Sequence, residues 1–216
     1  NDDDGQIYNV IENRICDEKL VVRKAALKLL RALVFSSETP NFSLFQLIAV
    51  RTRDRSVSIR QEASQTLTDC LNKFDHPPQL ITMWFDSIFR IALDTDLKTQ
   101  ELGLKLIDSN FLQTIAGPIG YSMALCLTDA YDDILFRVFR IFKQKSINLG
   151  PFCNLLQKSL SVDCLPVLWK LADCIIGIVP NHFKKDFKSF WDKRDEMPTE
   201  YLSIISKLNY SDQQII

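Results

Sequence analysis

Three arginines crowd one five-residue stretch: Arg51, Arg53 and Arg55. Guanidinium groups at that density can grip successive phosphates of double-stranded DNA. Such binding depends on salt and is nearly blind to base sequence. An arginine at a helix C-terminus also stabilises the helix dipole, so one of the three could serve only as a cap. A second basic group, Lys24, Lys28 and Arg31, falls at offsets 0, 4 and 7 and therefore shares one helix face. It ranks second as a phosphate track, because a turn approaches a backbone more freely than a helix face does. Net charge is −1, which argues against a nonspecific polycation. The charge is segregated, however. Residues 13–61 hold ten basic and four acidic groups, residues 75–135 three and nine, and residues 136–194 eleven and four. Blocks of this kind can steer a charged partner, although a plain solvated surface would also carry them.

Other chemistry is sparse. His76 precedes two prolines, and His182 follows Pro180-Asn181. Neither sits with a Ser or Cys and an acid in a nucleophile arrangement. No phosphate-binding loop and no dinucleotide fingerprint is present. The six cysteines, Cys16, Cys70, Cys126, Cys153, Cys164 and Cys174, form no C-x-x-C pair and have no histidine at metal-ligand spacing. Cys16, Cys70 and Cys174 lie in or beside apolar stripes. They read as small core hydrophobes in a reducing compartment. No catalytic residue, metal, cofactor or small-molecule substrate is therefore expected.

The elements that must position the basic residues show a repeating register. Asp17, Asp54 and Asp94 each open it, 37 and 40 residues apart. Five residues on stand Val22, Ile59 or Thr99, and six on Arg23, Arg60 or Gln100. Nine on stands a small residue, Ala26, Ala63 or Gly103, which would let a neighbouring helix come close. Thirteen on stand Leu30, Leu67 or Ile107. The period lies near the roughly 40–47 residues of HEAT/armadillo helical pairs. Asp17 and Asp54 stand where a turn meets a helix, so their carboxylates can cap backbone N–H groups. Val22, Ala26, Leu29, Leu30 and Leu33 then form one apolar stripe, as do Ile59, Ala63, Leu67, Cys70 and Leu71. Asp17, Arg23, Asp54 and Arg60 read as a structural ladder between repeats, with direct ligand contact as the other possibility. Along the basic strip, the matching places hold Gln61, Gln65 and Thr68, then Glu101, Lys105 and Asp108, so the strip fades. Weaker echoes start at Asp129, with Ile134, Val138 and Phe142, and at Asp163, with Leu168, Ala172 and Ile176.

The fold class expected is all-α, an α-α superhelix of antiparallel helix pairs. Residues 1–5 read as an acidic tail, 6–113 as three regular repeats, and 114–216 as irregular further repeats. Helices are expected over 7–15, 18–34, 42–53, 56–74, 79–93, 97–112, 119–128, 133–145, 151–160, 163–178, 183–191 and 199–208. The aromatic stripe Phe183, Phe187, Phe190 and Trp191 reads as core. No stretch approaches the roughly 18 apolar residues of a membrane span. A chain that starts at Asn1 and ends in Gln213-Gln214-Ile215-Ile216 reads as part of something longer.

The run Asp17-Glu18-Lys19 with Val22-Arg23-Lys24-Ala25-Ala26-Leu27 resembles a repeat of the HEAT-repeat D-type subunits of condensin II complexes. Residues 53–61 with Leu67-Thr68 are similar to the next repeat, and Trp84, Asp94, Gln100-Glu101 and Leu104 to the one after. Trp169, Leu171 and Phe190-Trp191-Asp192-Lys193 are similar to later helices. Thr99 and Gly103 depart from the pattern, which prefers Val and Ala there. The resemblance implies a non-ATPase subunit that docks on a kleisin chain, contacts DNA and helps SMC ATPases compact mitotic chromosomes. It implies a nuclear, chromosomal address. From the residues alone, a HEAT scaffold of nuclear transport or phosphatase assembly that binds only peptides stays open. So does a helical shoulder of a large kinase.

Overall fold

A computed structural model of the chain describes residues 2–159, 166–176 and 178. The helices are α1 (Asp2–Ile15), α2 (Leu20–Ser36), α3 (Phe42–Arg51), α4 (Val57–Lys73), α5 (Pro78–Ile91), α6 (Leu97–Asn110), α7 (Pro118–Leu125), α8 (Asp132–Gln144), α9 (Gly150–Ser159) and α10 (Pro166–Ile176). No strand occurs among the described residues, and the fold is an all-α helical repeat. The chain divides into two units, Asn1–Leu106 and Ile107–Ile216, with the boundary inside α6.

Helix ends follow local chemistry. Asn41 caps α3 by accepting the Leu44 N–H at 3.3 Å. Pro78 and Pro118 occupy first-turn positions, where a missing N–H costs nothing. Asp75 and His76 turn the chain after α4 with φ of 52° and 59°, and the His76 N–H returns to the Leu71 carbonyl. The acidic run at the start is no tail, because α1 begins at Asp2. Asp is a favoured residue type in a helix's first turn, where free N–H groups carry partial positive charge.

In the first unit α1 packs on α2 and α3 on α4. The first helices of successive pairs, α3 and α5, also touch, as do the second helices α2 and α4. The α4 stripe Ile59, Ala63, Leu67, Cys70 and Leu71 is fully buried. On α2 the stripe is narrower than its periodicity predicts. Ala26 and Leu30 are buried together with Leu27 and Val34, whereas Val22 and Leu33 are half-buried and Leu29 is exposed. The α5 face supplies Trp84, Phe85 and Phe89, with the Phe85 and Phe89 rings stacked at 4.9 Å. Buried Trp84 donates its indole N–H to Thr68 Oγ1 at 2.8 Å, so the one polar atom of that ring is satisfied.

In the second unit α8 buries Leu135, Val138, Phe139 and Phe142, and the Phe139 ring stacks on Phe152 of α9 at 5.9 Å. Val138 and Phe142 thus stand inward at the offsets from Asp129 that the weak echo marks. Lys143 donates to the Ile178 carbonyl at 2.7 Å, and Lys170 pairs with Asp129. Asp163, Cys164, His182 and the stripe Phe183, Phe187, Phe190 and Trp191 lie outside the described residues, as do the helices expected over 183–191 and 199–208.

Gly103 shows why the ninth register place is small. A Cβ there would lie 2.5 Å from the Ala92 nitrogen and 2.7 Å from the Ile91 carbonyl carbon, both backbone atoms at the end of α5. Backbone cannot swing aside as a flexible side chain can. Gly103→Ala is therefore expected to destabilise the first unit by about 1–3 kcal/mol, the usual cost of overpacking. Urea unfolding of the two proteins checks this, and an unchanged midpoint would show that α6 can shift freely.

Candidate nucleic-acid interface

The basic turn is held by an acidic one-residue scaffold. Asp17, Asp54 and Asp94 fold the same turn, each Oδ1 accepting the N–H two residues on, from Lys19, Ser56 and Asp96, all at 2.8 Å. These carboxylates close the turn ahead of α2, α4 and α6 and do not cap the first helical turn itself. Lys19 and Ser56, the residues flanking α2 and α4, make no side-chain cap bond. Before α6 it is Asp96 that caps, accepting the N–H and hydroxyl of Thr99. Those two bonds hold the Asp96 carboxyl below its ordinary pKa.

Each turn is then tied to its neighbour by an arginine. Arg23 on α2 donates Nε and Nη2 to the two carboxylate oxygens of Asp54 at 2.9 and 3.0 Å. Its Nη1 bonds the Asp17 and Glu18 carbonyls, both at 2.9 Å. Arg60 repeats the pattern one pair later. Nε and Nη2 meet Asp94 at 2.7 and 2.9 Å, and Nη1 meets the Asp54 carbonyl at 3.0 Å. Gln100 occupies the third place and, among the described residues, reaches only its own turn, at the Asp94 carbonyl, 3.5 Å away. Burial pushes the Asp54 carboxyl up. The Arg23 bonds, the Ser56 N–H and the charges of Arg23 and Arg51 outweigh that and leave its pKa below the ordinary value.

The six basic candidates separate into two sets. Arg51 is engaged within the fold through one guanidinium nitrogen. It is largely buried, and its Nη1 donates to the Ile15 carbonyl at 3.0 Å and to Asp54 at 3.3 Å. The carbonyl at the end of α1 and the buried carboxylate need that donor, so the residue is part of the ladder. Arg31 likewise pairs with Asp69 of α4 at 2.8 Å and lies over the Phe35 ring. Arg55 is exposed but bonds the Glu18 carbonyl with one Nη. Arg53 and Lys28 are exposed and make no hydrogen bond or ion pair among the described residues, and Lys24 is half-buried. The Arg55–Glu18 bond brings the α3–α4 turn against the start of α2. Lys28 stands about 13 Å along the helix from Lys19 at ~1.5 Å per residue.

Arg53 also borders a cleft of about 270 Å³ between α3 and α5, with Gln46, Val50, Met83 and Asp86 in its walls. The structural role of Arg51 was recoverable from sequence. Arg14 stands three residues before Asp17 as Arg51 does before Asp54, and both approach that Asp.

The remaining reactive side chains are subdued. Burial raises the Cys70 thiol to about 12 and the Cys153 thiol to about 11, so neither is a thiolate near neutrality. Cys16 is exposed, contrary to its expected place in the core, because α1 ends at Ile15 and the turn carries Cys16 outward. Burial lowers the pKa of His76, partly countered by Asp75. No group of three or more His, Cys, Asp and Glu placed to hold a metal occurs among the described residues. The arrangement can bind anions through exposed cations on braced turns.

Residues 2–30 match a family model described as a HEAT repeat associated with sister chromatid cohesion. The chain is 31% identical over 114 residues to Condensin-2 complex subunit D3-L from Xenopus laevis. That alignment takes in 52% of this chain and 8% of the Xenopus protein. No solved structure matches.

Because the Asp54 pKa is depressed on folding, its contribution is fully present above the unfolded value near 3.8 and is lost as pH falls through the folded value. Asp54→Asn should flatten stability against pH in that acid window and lower stability at pH 7. Arg23→Ala, which strands Asp54 almost fully buried without its main partner, should cost about 3–5 kcal/mol. Chemical denaturation across pH 2.5–7 checks both, and identical acid limbs for wild type and Asp54→Asn would contradict the assignment.

Proposed function

We propose that this chain is a non-catalytic HEAT-repeat scaffold segment of a condensin-type complex, contacting duplex DNA through its turns while other surfaces hold protein partners. The observation that carries the DNA contact is the pair of unengaged, exposed cations, Arg53 and Lys28, with Arg55 beside them. Arg53 stands on a turn braced by buried ion pairs and Lys28 on α2, so the ordering cost of phosphate contact falls on the side chains alone. The condensin assignment is supported by the partial identity to the Xenopus D3-L subunit and by the cohesion-associated repeat over residues 2–30. On this reading the partners are a kleisin chain, SMC ATPases and double-stranded DNA. The address is the nucleus and its chromosomes, and the role lies in mitotic chromosome condensation. The chain spans only 8% of the D3-L protein, and that larger context would supply the docking of the ATPases.

One observation favours a second reading, a scaffold that binds peptides only. The cleft between α3 and α5 mixes Arg53 and Asp86 with Val50 and Met83, a lining suited to an extended peptide of mixed character.

Duplex binding by the full chain, titrated at several salt concentrations, separates the two. Arg53→Glu and Lys28→Glu, each folded by circular dichroism, should weaken binding at every sequence. Each should also reduce the slope of log affinity against log salt by about 0.9 for every phosphate left without its cation. Arg51→Glu is excluded from the comparison, since it sets a carboxylate beside Asp54. Unchanged affinity and slope in the Arg53→Glu, Lys28→Glu double variant would remove DNA from the proposal and leave the peptide reading.

A further inference from the structure

Arg23 and Arg60 grip their carboxylates with one particular edge of the guanidinium. Nε and Nη2 donate side by side to the two oxygens of Asp54 or Asp94. Arg51 has the same edge and leaves it unused. Its bonds, to the Ile15 carbonyl and to Asp54, both run through Nη1. Its Nε is buried and meets no acceptor, the one such buried side-chain nitrogen or oxygen among the described residues. A guanidinium stays charged and is donor-only, so a buried N–H of this kind calls for an oxygen from elsewhere.

The surroundings say what could bring that oxygen. Arg51 lines the cleft of about 270 Å³ between α3 and α5. Arg53, exposed and without an ion pair among the described residues, borders the same cleft, so two cations meet there. Val50 and Met83 add apolar lining. The chain itself twice fills this arginine edge with a planar carboxylate, whose two oxygens match the two parallel N–H groups. The unbroken negative charge of a duplex backbone fits less well, because Asp86 stands in the wall. An incoming oxygen meets Nη2 first. It reaches the sealed Nε once a flexible lining side chain, Gln46 or Met83, gives way.

We propose that the cleft between α3 and α5 is a pocket for an acidic side chain, Glu or Asp, of a partner peptide, held bidentately by Nε and Nη2 of Arg51 with Arg53 beside it. The proposal rests on the peptide reading of this cleft and deepens it by naming the group that is read. Arg51 then has two separate duties. Its Nη1 braces the fold, and its remaining edge selects the ligand.

The test screens the full chain against an array of hexapeptides randomised at every position, and assigns binding to the cleft by its loss in Val50→Arg. Bound peptides are expected to share a Glu or Asp. Replacing it with Gln or Asn should weaken binding at least about tenfold, since a charge-assisted pair is removed. Arg51→Lys keeps a cation for Ile15 and Asp54 but has no fork, so it should bind the acid and amide peptides alike. Where that variant fails to fold, the wild type still decides. The Arg51 Nε–H signal in a nitrogen–proton correlation NMR spectrum should move with the acid peptide and not with its amide counterpart. Cleft binding without a preference for an acid overturns the proposal and leaves peptide binding standing. So does an acid preference that survives Arg51→Lys, or an Nε–H signal that the acid peptide does not move. If no peptide is lost with Val50→Arg, the peptide reading falls as well. A duplex oligonucleotide that moves the Nε–H signal when no peptide does assigns the edge to phosphate and overturns the proposal.

Discussion

A guanidinium and a carboxylate buried together impose conditions on everything around them. Arg23 and Asp54 leave water almost completely, and their attraction offsets that desolvation only if the remaining lone pairs and N–H groups are also met. They are met: Asp54 takes two bonds from Arg23, one from Arg51 and one from the Ser56 N–H, while Arg23 also reaches two carbonyls of its own turn. Completing that set fixes the turn shapes, the offset between α2 and α4, and the spacing of pairs along the chain. Net stability comes from elsewhere. A fully buried Leu or Phe contributes about 1.5–3 kcal/mol, and the first unit buries many of them, whereas a buried ion pair is often near break-even against apolar replacements. The ladder therefore selects register, and the core supplies the free energy.

The same constraint sorts the cations. An arginine near a buried carboxylate or an orphan helix-end carbonyl is engaged by it, as Arg51 is, while Arg31 is paired at the surface with Asp69. Arg53 projects from the same turn with no such demand on it. Thus a dense basic cluster in sequence becomes, in three dimensions, a braced core of arginines beneath a smaller set of free ones. Surface charge available to a phosphate is what remains after the fold has taken its share.

Much of this was readable in the chain, and the failures have physical causes. The Asp-to-Arg offset, the small ninth residue and the α4 stripe are local patterns that tertiary structure preserves, and they predicted the helical pairs. Leu29 misled because periodicity assigns a face without saying whether anything covers it. Arg51 misled because composition counts charges and does not see a carbonyl 36 residues away, at Ile15. Helix α1 starts at Asp2, ahead of its apolar pattern, since Asp is as suited to a first helical turn as to a tail. Gln100 keeps the register place but not the charge, a difference whose meaning needed the geometry of Arg60 beside it.

Gln100 also has a mechanical side. Two parallel bonds between planar groups resist sliding and twisting at once, because either motion breaks the alignment of both. The junctions spanned by Arg23 and Arg60 are clamped in this sense. An amide that holds only its own turn transmits no such torque. Within the first unit, then, resistance to sliding is concentrated at the two junctions the arginines span, between α2 and the Asp54 turn and between α4 and the Asp94 turn.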